Sequence, residues 1–240
     1  MISISNCTLE WAKTNNLRNW FKPSTTSTNE IAKSEVGDLE NFKLYFTEEQ
    51  SEGRGRGTNT WSNSKPGHAF LSSWTFKLTN PPQHFYPALI GLGLFQACQN
   101  TWPGLAWSLK APNDLFIDDK KVAGLLLELI QQSDSVYLCI GLGFNIFSNP
   151  TEVQTSSHLT QYMGQESELT EDVWTQFLES FKTNLDQTIE NSTTSKISRE
   201  QRDQLLVALN SNPWKAETYI DVSDQGDLIS ETQTISWRDL

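Results

Sequence analysis

The sequence predicts an α+β fold in which a β-sheet packs against helices, and three features predict it. Two apolar runs, 115–117 and 122–130, flank the polar tetrapeptide Asp118, Asp119, Lys120 and Lys121, the pattern of a tight antiparallel hairpin. The stretch Ala69–Leu78 places Phe70, Trp74, Phe76 and Leu78 at period two, as a half-buried strand does, with Ser72 interrupting the face. Residues 84–100 then form a largely apolar segment of helical length, and a helix so apolar belongs against a sheet.

Taken in order, the first sixteen residues carry no clear signal. Ser27 and Glu30 stand in the spacing of a capping box at the start of a short helix, a pattern that also arises from capping alone. Residues 42–47 alternate as a strand. They lead into the segment 48–61, EEQSEGRGRGTNTW, where Gly53, Gly55 and Gly57 alternate with Arg54 and Arg56. Such a backbone bends freely, and each guanidinium can fork onto a carboxylate or phosphate. The loop lacks a Walker pattern, and a mobile solvated loop or an arginine-glycine RNA tract are the other readings.

The helix at 84–100 accepts Pro87 in its first turn, and Gly91 and Gly93 would bring it close to a neighbouring element. A third apolar run, 105–109, ends at Lys110, and Pro112 stiffens the bend after it. Lys110, Asn113 and Asp114 therefore sit on a rigid corner at a strand end, as a ligand site or as a polar turn. Gly141 and Gly143 lie in IGLGFNI; no third glycine and no helix follow, so a dinucleotide fingerprint is excluded, and close approach of a ligand or strand is the expectation. Asn145 is either structural or a ligand contact. From 170 to 190, Trp174, Phe177, Leu178, Phe181, Leu185 and Ile189 recur at helical spacing and face a core. Ser198 and Gln201 form a second capping box before Leu205, Leu206 and Leu209. Residues 217–240 read as short strands around a Ser223–Gly226 turn, too few to fold alone.

With 240 residues, 37% hydrophobic, the chain can bury one sizeable core plus a small appendage. No run approaches the ~20 apolar residues of a membrane span, and no basic or apolar leader opens the chain. Three dispersed cysteines and three dispersed histidines suit buried thiols in a reducing cytoplasm rather than disulfides or a zinc site. Basic and acidic residues balance at 12 each through Ile130, whereas the remainder carries 6 against 17. A pI near 4.7 makes a poor nucleic-acid binder, because phosphate affinity rests on lysine and arginine.

The segments 53–61 (GRGRGTNTW), 110–128 (KAPNDLFIDDKKVAGLLLE) and 140–146 (IGLGFNI) resemble, in order and spacing, the signature segments of biotin protein ligases. Ser27, Thr28 and Asn29, Gln50, and TSSHL at 155–159 fit the same pattern, and the resemblance spans about residues 23–215. It implies a mixed β-sheet against helices, related to the lipoate ligase fold, with a catalytic domain at 1–215 and a shortened SH3-like segment at 216–240. It implies a two-step reaction: biotin and ATP give biotinyl-5′-adenylate and pyrophosphate, and a lysine of a biotin carboxyl-carrier protein, the acetyl-CoA carboxylase subunit, then takes the biotinyl group.

Carried over by position, Lys110, Arg54 and Arg56 are the implied catalytic residues. Ser27, Thr28, Asn29, Gln50, Gly53, Gly55, Asn113, Asp114, Gly124, Gly141, Gly143 and Asn145 are the implied ligand contacts. Mg²⁺ is implied with the ATP phosphates, with Asp114 the carboxylate best placed to assist and no resident metal set. A cytoplasmic monomer or homodimer with no nucleic-acid or membrane partner is the expectation. Joining a carboxylate to an α-phosphate gathers negative charge, which Lys110 and the arginines would stabilise while the loop excludes water. The apolar stretches 125–127 and 140–142 would line the biotin slot.

The sequence departs from the family where Ala111 replaces the usual tryptophan and where Gly57, Thr58 and Asn59 stand in place of further basic or glycine residues. The tail is about half the usual length, and no helix-turn-helix precedes Trp20, so the repressor role of larger members is not expected. The other readings are a non-catalytic biotin or adenylate binder and a lipoate or octanoate ligase. Both arginines with Lys110 favour an enzyme, and GRGRG followed by the KxPND corner favours biotin.

Overall fold

The alternation that begins at Phe42 builds the strand on which the first part of the chain assembles. The computed structural model describes every residue except 63, 81, 191–195 and 238. Its chain divides into two units, Met1–Thr79 with Val122–Thr175, and Asn80–Lys121 with Gln176–Leu240.

In the first unit, β1 (Asn19–Thr25) runs parallel to β2 (Phe42–Gln50). β3 (Ala69–Leu78) is antiparallel to β2. β7 (Ser135–Asn145) follows it, and then β6 (Lys120–Gln132), each antiparallel to its neighbour. The sheet is therefore mixed, as the resemblance implied. Register fixes its two faces, because side chains directly opposite each other share a face and alternate along each strand. Phe46, Phe70, Trp74, Ile140, Leu142, Phe144 and Leu125 share the core face. There Trp11 of α1 (Ile4–Thr14) packs on Trp74 at 5.9 Å between centroids, and Trp174 meets Phe70 edge-on at 5.2 Å. The Trp174 indole N–H donates to the buried Thr8 hydroxyl at 3.0 Å, so this apolar face leaves that polar group satisfied.

The opposite face carries Tyr45, Ser73, Gly141, Gly143, Gly124, Leu126 and Glu128. It is covered by α2 (Thr28–Glu35), so β3 is buried on both faces rather than half-buried as its alternation suggested. Ser72, the interruption on the core face, accepts the Trp74 indole N–H at 3.1 Å. Helix α1 lies within the first sixteen residues, for which no element was expected, and β1 follows it.

The second unit holds α3 (Tyr86–Thr101), the antiparallel pair β4 (Trp107–Lys110) and β5 (Asp114–Ile117), most of α4 (Glu171–Glu190), α5 (Arg199–Asn210) and the short strands β8 (Tyr219–Val222), β9 (Leu228–Ser230) and β10 (Thr234–Ile235). Pro87 lies in the first turn of α3, and the Ser198–Gln201 capping box forms at α5. The expected glycine contacts on α3 are half realised. A β-carbon at Gly93 would lie 3.1 Å from Asn184 of α4, whose amide donates to the Gly93 carbonyl at 2.8 Å, whereas Gly91 has open space. The turn after β5 comes at Asp118, whose φ of 49° is left-handed, a conformation that Asp tolerates. The terminal strands rest on their own unit: Asn210 exchanges two hydrogen bonds with the Tyr219 backbone at 2.7 and 2.9 Å. The Trp237 indole donates to the Pro112 carbonyl at 3.1 Å, which holds the corner after Lys110.

Candidate active site

Segment 53–61 is a small hairpin rather than a freely bending loop. Trp61 N donates to Gly53 O at 2.9 Å, Gly55 N donates to Asn59 O at 2.8 Å, and Arg54 pairs with Thr60. Gly57 at the tip has a φ of 65°, where a side chain is strained. Gly53 is needed at the base, since a β-carbon there would stand 2.8 Å from the Trp61 carbonyl. Arg56 is exposed near the tip. Arg54 turns onto the sheet.

The hairpin lays the Trp61 ring on the sheet at Gly143, where a β-carbon would fall 2.5 Å from Cε2. Gly124 is directly opposite Gly143, so two adjacent strands present a window without side chains. Beside it, a β-carbon at Gly141 would fall 2.6 Å from Asn29 Oδ1. Both glycines therefore permit close approach, as their position suggested, and what approaches is protein. The residues on this face also correct the expected slot. Leu125, Ile140 and Leu142 point into the core, and of the stretches 125–127 and 140–142 it is Leu126 and Gly141 that face the site.

The N-terminus of α2 is tied down from a distance. Ser27 has an extended φ of −158° and makes no capping bond, so the capping box does not form. Gln50 Oε1 instead accepts from Thr28 N at 2.7 Å and from Thr28 Oγ1 at 3.2 Å. The buried Ser73 hydroxyl lies 2.7 Å from Thr28 Oγ1 and bonds Asn29 Oδ1. Ser27, Thr28 and Asn29 are all buried, and this network fixes the last two.

Asn29 Nδ2 donates to Glu128 Oε2 at 2.8 Å, and Lys33 Nζ lies 2.5 Å from Glu128 Oε1. Arg54 Nη2 is 3.3 and 3.2 Å from the two Glu128 oxygens and also pairs with Glu30. Glu30, Lys33, Arg54 and Glu128 thus form a charge-balanced cluster at the edge of the glycine window. Burial pushes the Glu128 carboxyl up, but bonds from Lys33 and Asn29 and the charges of Lys33 and Arg54 outweigh it and hold it below the ordinary value of 4.5. Sequence reasoning missed Glu128 as a site residue. Its signal was a carboxylate in the middle of an apolar strand, which burial allows only with partners. Glu30, read as a capping residue, faces Arg54 instead.

Asn145, two residues beyond Gly143 on the same face, is buried; its Nδ2 donates to the Ser157 carbonyl at 3.0 Å. That bond gives the TSSHL segment a structural role. Asn145 Oδ1 has no hydrogen-bond partner among the described residues.

Lys110, Asn113 and Asp114 belong to the second unit, where Lys110 is opposite Asp114 across the β4–β5 turn. Lys110 is exposed, its ammonium 6.0 Å from the centroid of the Phe116 ring, and enters no ion pair with a described residue. Asp114 Oδ1 lies 2.7 Å from the ammonium of Lys121, a residue the sequence reading left out of the site. No group of three potential metal-binding side chains occurs among the described residues. The three cysteines are buried and unpaired. Burial pushes the Cys139 thiol up to about 12 against bonds from Thr75 and Ser73, so it is inert. No described helix is long and apolar enough to cross a membrane.

Fold and site together define a mixed-sheet α+β protein with an arginine-bearing hairpin over a glycine-lined sheet face. The model of the Biotin/lipoate A/B protein ligase family matches residues 21–145, just over half of the chain, and the chain belongs to that family. Among curated relatives, it is 28% identical over 126 residues to the bifunctional ligase/repressor BirA of Escherichia coli, a match covering 52% of this chain and 39% of that protein. To the biotin–protein ligase of Homo sapiens it is 29% identical over 125 residues, covering 48% of this chain and 17% of that one. The chain thus aligns with well under half the length of these relatives. Among solved structures, biotin protein ligase from Aquifex aeolicus in complex with biotin and ATP superimposes with a TM-score of 0.68 at 21% identity, covering 91% of this chain and 95% of that one. The Leishmania major enzyme in complex with biotinyl-5-AMP gives 0.59 at 19% identity, covering 88% and 93%. These likenesses establish the shared fold.

Proposed function

We propose that the protein is an ATP-dependent biotin protein ligase acting in the cytoplasm on the biotin carboxyl-carrier subunit of acetyl-CoA carboxylase. In the first step a carboxylate oxygen of biotin attacks the α-phosphorus of ATP; the new O–P bond forms as the bond to the β-phosphate breaks, and pyrophosphate leaves. In the second, the carrier lysine amine attacks the acyl carbon; the amide forms as the amine gives up a proton to solvent, and AMP departs with the electron pair of the broken C–O bond. Mg²⁺ arrives with ATP as part of the substrate, and no step is assigned to a protein-held metal.

The observation that carries this reading is Arg54, a guanidinium held by a built hairpin at the edge of a glycine window, in a chain of the biotin/lipoate ligase family. A guanidinium beside an indole ring seated on glycine backbone suits a flat apolar ring system ending in a carboxylate. Gln50, Thr28 and Asn29 supply polar atoms fixed before a ligand arrives, so less ordering is needed on binding. Lys110 is assigned to the charge that grows at the α-phosphate, and Arg56 to retention of the adenylate. The Trp61-bearing hairpin would exclude water from the mixed anhydride. Full-length protein incubated with Mg-ATP and either biotin or lipoate should exchange pyrophosphate with ATP only when biotin is present. Exchange with lipoate and none with biotin would replace this reading with a lipoate ligase, and biotin binding without exchange would replace it with a binding protein.

A further inference from the structure

We propose that Glu30 and Glu128 form a counter-anion latch that holds Arg54 against α2 and β6 until the carboxylate of the entering ligand displaces it, so that these two acids set the affinity for biotin. The inference rests on the assignment of Arg54 as the ligand arginine. Arg54 Nη2 faces three carboxylate oxygens, one of Glu30 and the two of Glu128, on separate elements of the first unit. A guanidinium pairs with a bound carboxylate through charge-assisted contacts of the same kind, and here the protein supplies the anions itself.

The two acids differ in accessibility and in duty. The Glu128 side chain is 20% exposed and also holds Asn29 and Lys33, whereas Glu30 is 48% exposed and bonds Lys33 and Arg54. Glu30 is therefore the half of the latch that can let go. Lys33 stays paired with both acids when Arg54 leaves, at 3.1 Å from Glu30 and 2.5 Å from Glu128, and the three groups then carry one net negative charge. The departing guanidinium therefore leaves no unpaired buried charge behind, and the exchange is of one anion for another. Such a latch also discriminates. A ligand with no negative charge gains nothing from opening it, while a carboxylate replaces what it displaces.

Exposed ion pairs are weak, so the latch lowers affinity by a small factor that salt screens. The test is calorimetric titration of the full chain with biotin, and with biotin amide as a neutral analogue, at low salt and at about 1 M salt, where the screening length is roughly 3 Å. Glu30→Gln should bind biotin about threefold to fivefold more tightly than the native protein at low salt. The gain should vanish at high salt and be absent for the amide. Glu128→Gln, which keeps an acceptor for Asn29, is the second variant and should show the same salt-dependent gain. Unchanged or weaker biotin binding by both variants, or an equal gain for the amide, overturns the latch. Arg54→Ala separates the two claims: it should weaken biotin and spare the amide, and if it binds biotin normally, the ligand-arginine assignment has failed rather than the latch alone.

Discussion

The Trp61 indole rests directly on Gly143, leaving no room for even a methyl group between ring and strand. Placing that ring on the sheet is what fixes the hairpin carrying Arg54 over the glycine window. Gly143→Ala puts a β-carbon 2.5 Å from Trp61 Cε2, so ring or strand must shift. Overpacking of this kind costs about 1–3 kcal/mol. Urea unfolding should show a loss in that range together with weaker biotin binding, and native stability with native affinity would show that the ring is not fixed there.

Gln50 stands in for the missing cap of α2. Gln50→Ala removes the acceptor of Thr28 N at 2.7 Å and Thr28 Oγ1 at 3.2 Å. A buried donor left unpaired costs about 1–3 kcal/mol. Gln50→Glu retains the acceptor and sets a negative charge at a helix N-terminus, so it should lose less. The order of urea midpoints, native above Glu above Ala, checks this; Ala at or above Glu contradicts it.

Glu128 makes stability depend on acidity. Its carboxyl is held below 4.5 in the folded chain, so its contribution is fully present above that value and is lost as pH falls through the lowered folded value. Glu128→Gln should cost stability at neutral pH and flatten the decline below 4.5 relative to the native protein. Parallel pH profiles for the two proteins would remove Glu128 as the source.

The two proposed steps separate kinetically. Lys110→Ala should suppress adenylate formation, measured as biotin-dependent pyrophosphate exchange. Arg56→Ala should form adenylate and release it faster, seen as adenylate in the filtrate. Adenylate formation at the native rate by Lys110→Ala would void the role given to that lysine.

The helices were legible where one face alone is buried. The stripe Trp174, Phe177, Leu178, Phe181 and Leu185 is fully buried, and Ser198 caps α5 as its spacing required. Strand β1 was not legible, because Pro23 and Lys22 interrupt it; a strand paired on one side within its unit tolerates both. Helix α1 carries a signal of its own, Ser3 at its cap with Ile4, Cys7 and Trp11 at helical spacing. The failed cap at Ser27 has a nonlocal cause, an acceptor supplied 22 residues later by Gln50. Of the residues on this sheet face, the ordered motifs named Asn29, Arg54, Gly124, Gly141 and Gly143, but not Glu128. Only strand register reveals that this carboxylate shares a face with Gly141 and Gly124 and is met there by Asn29, Lys33 and Arg54.

The most direct test of the ligase assignment is the mass of a purified apo carrier domain after incubation with the protein, biotin and Mg-ATP. A gain of one biotinyl group on the carrier lysine, dependent on both biotin and ATP, is the result expected. An unchanged carrier mass, with biotin demonstrably bound to the protein, would contradict it.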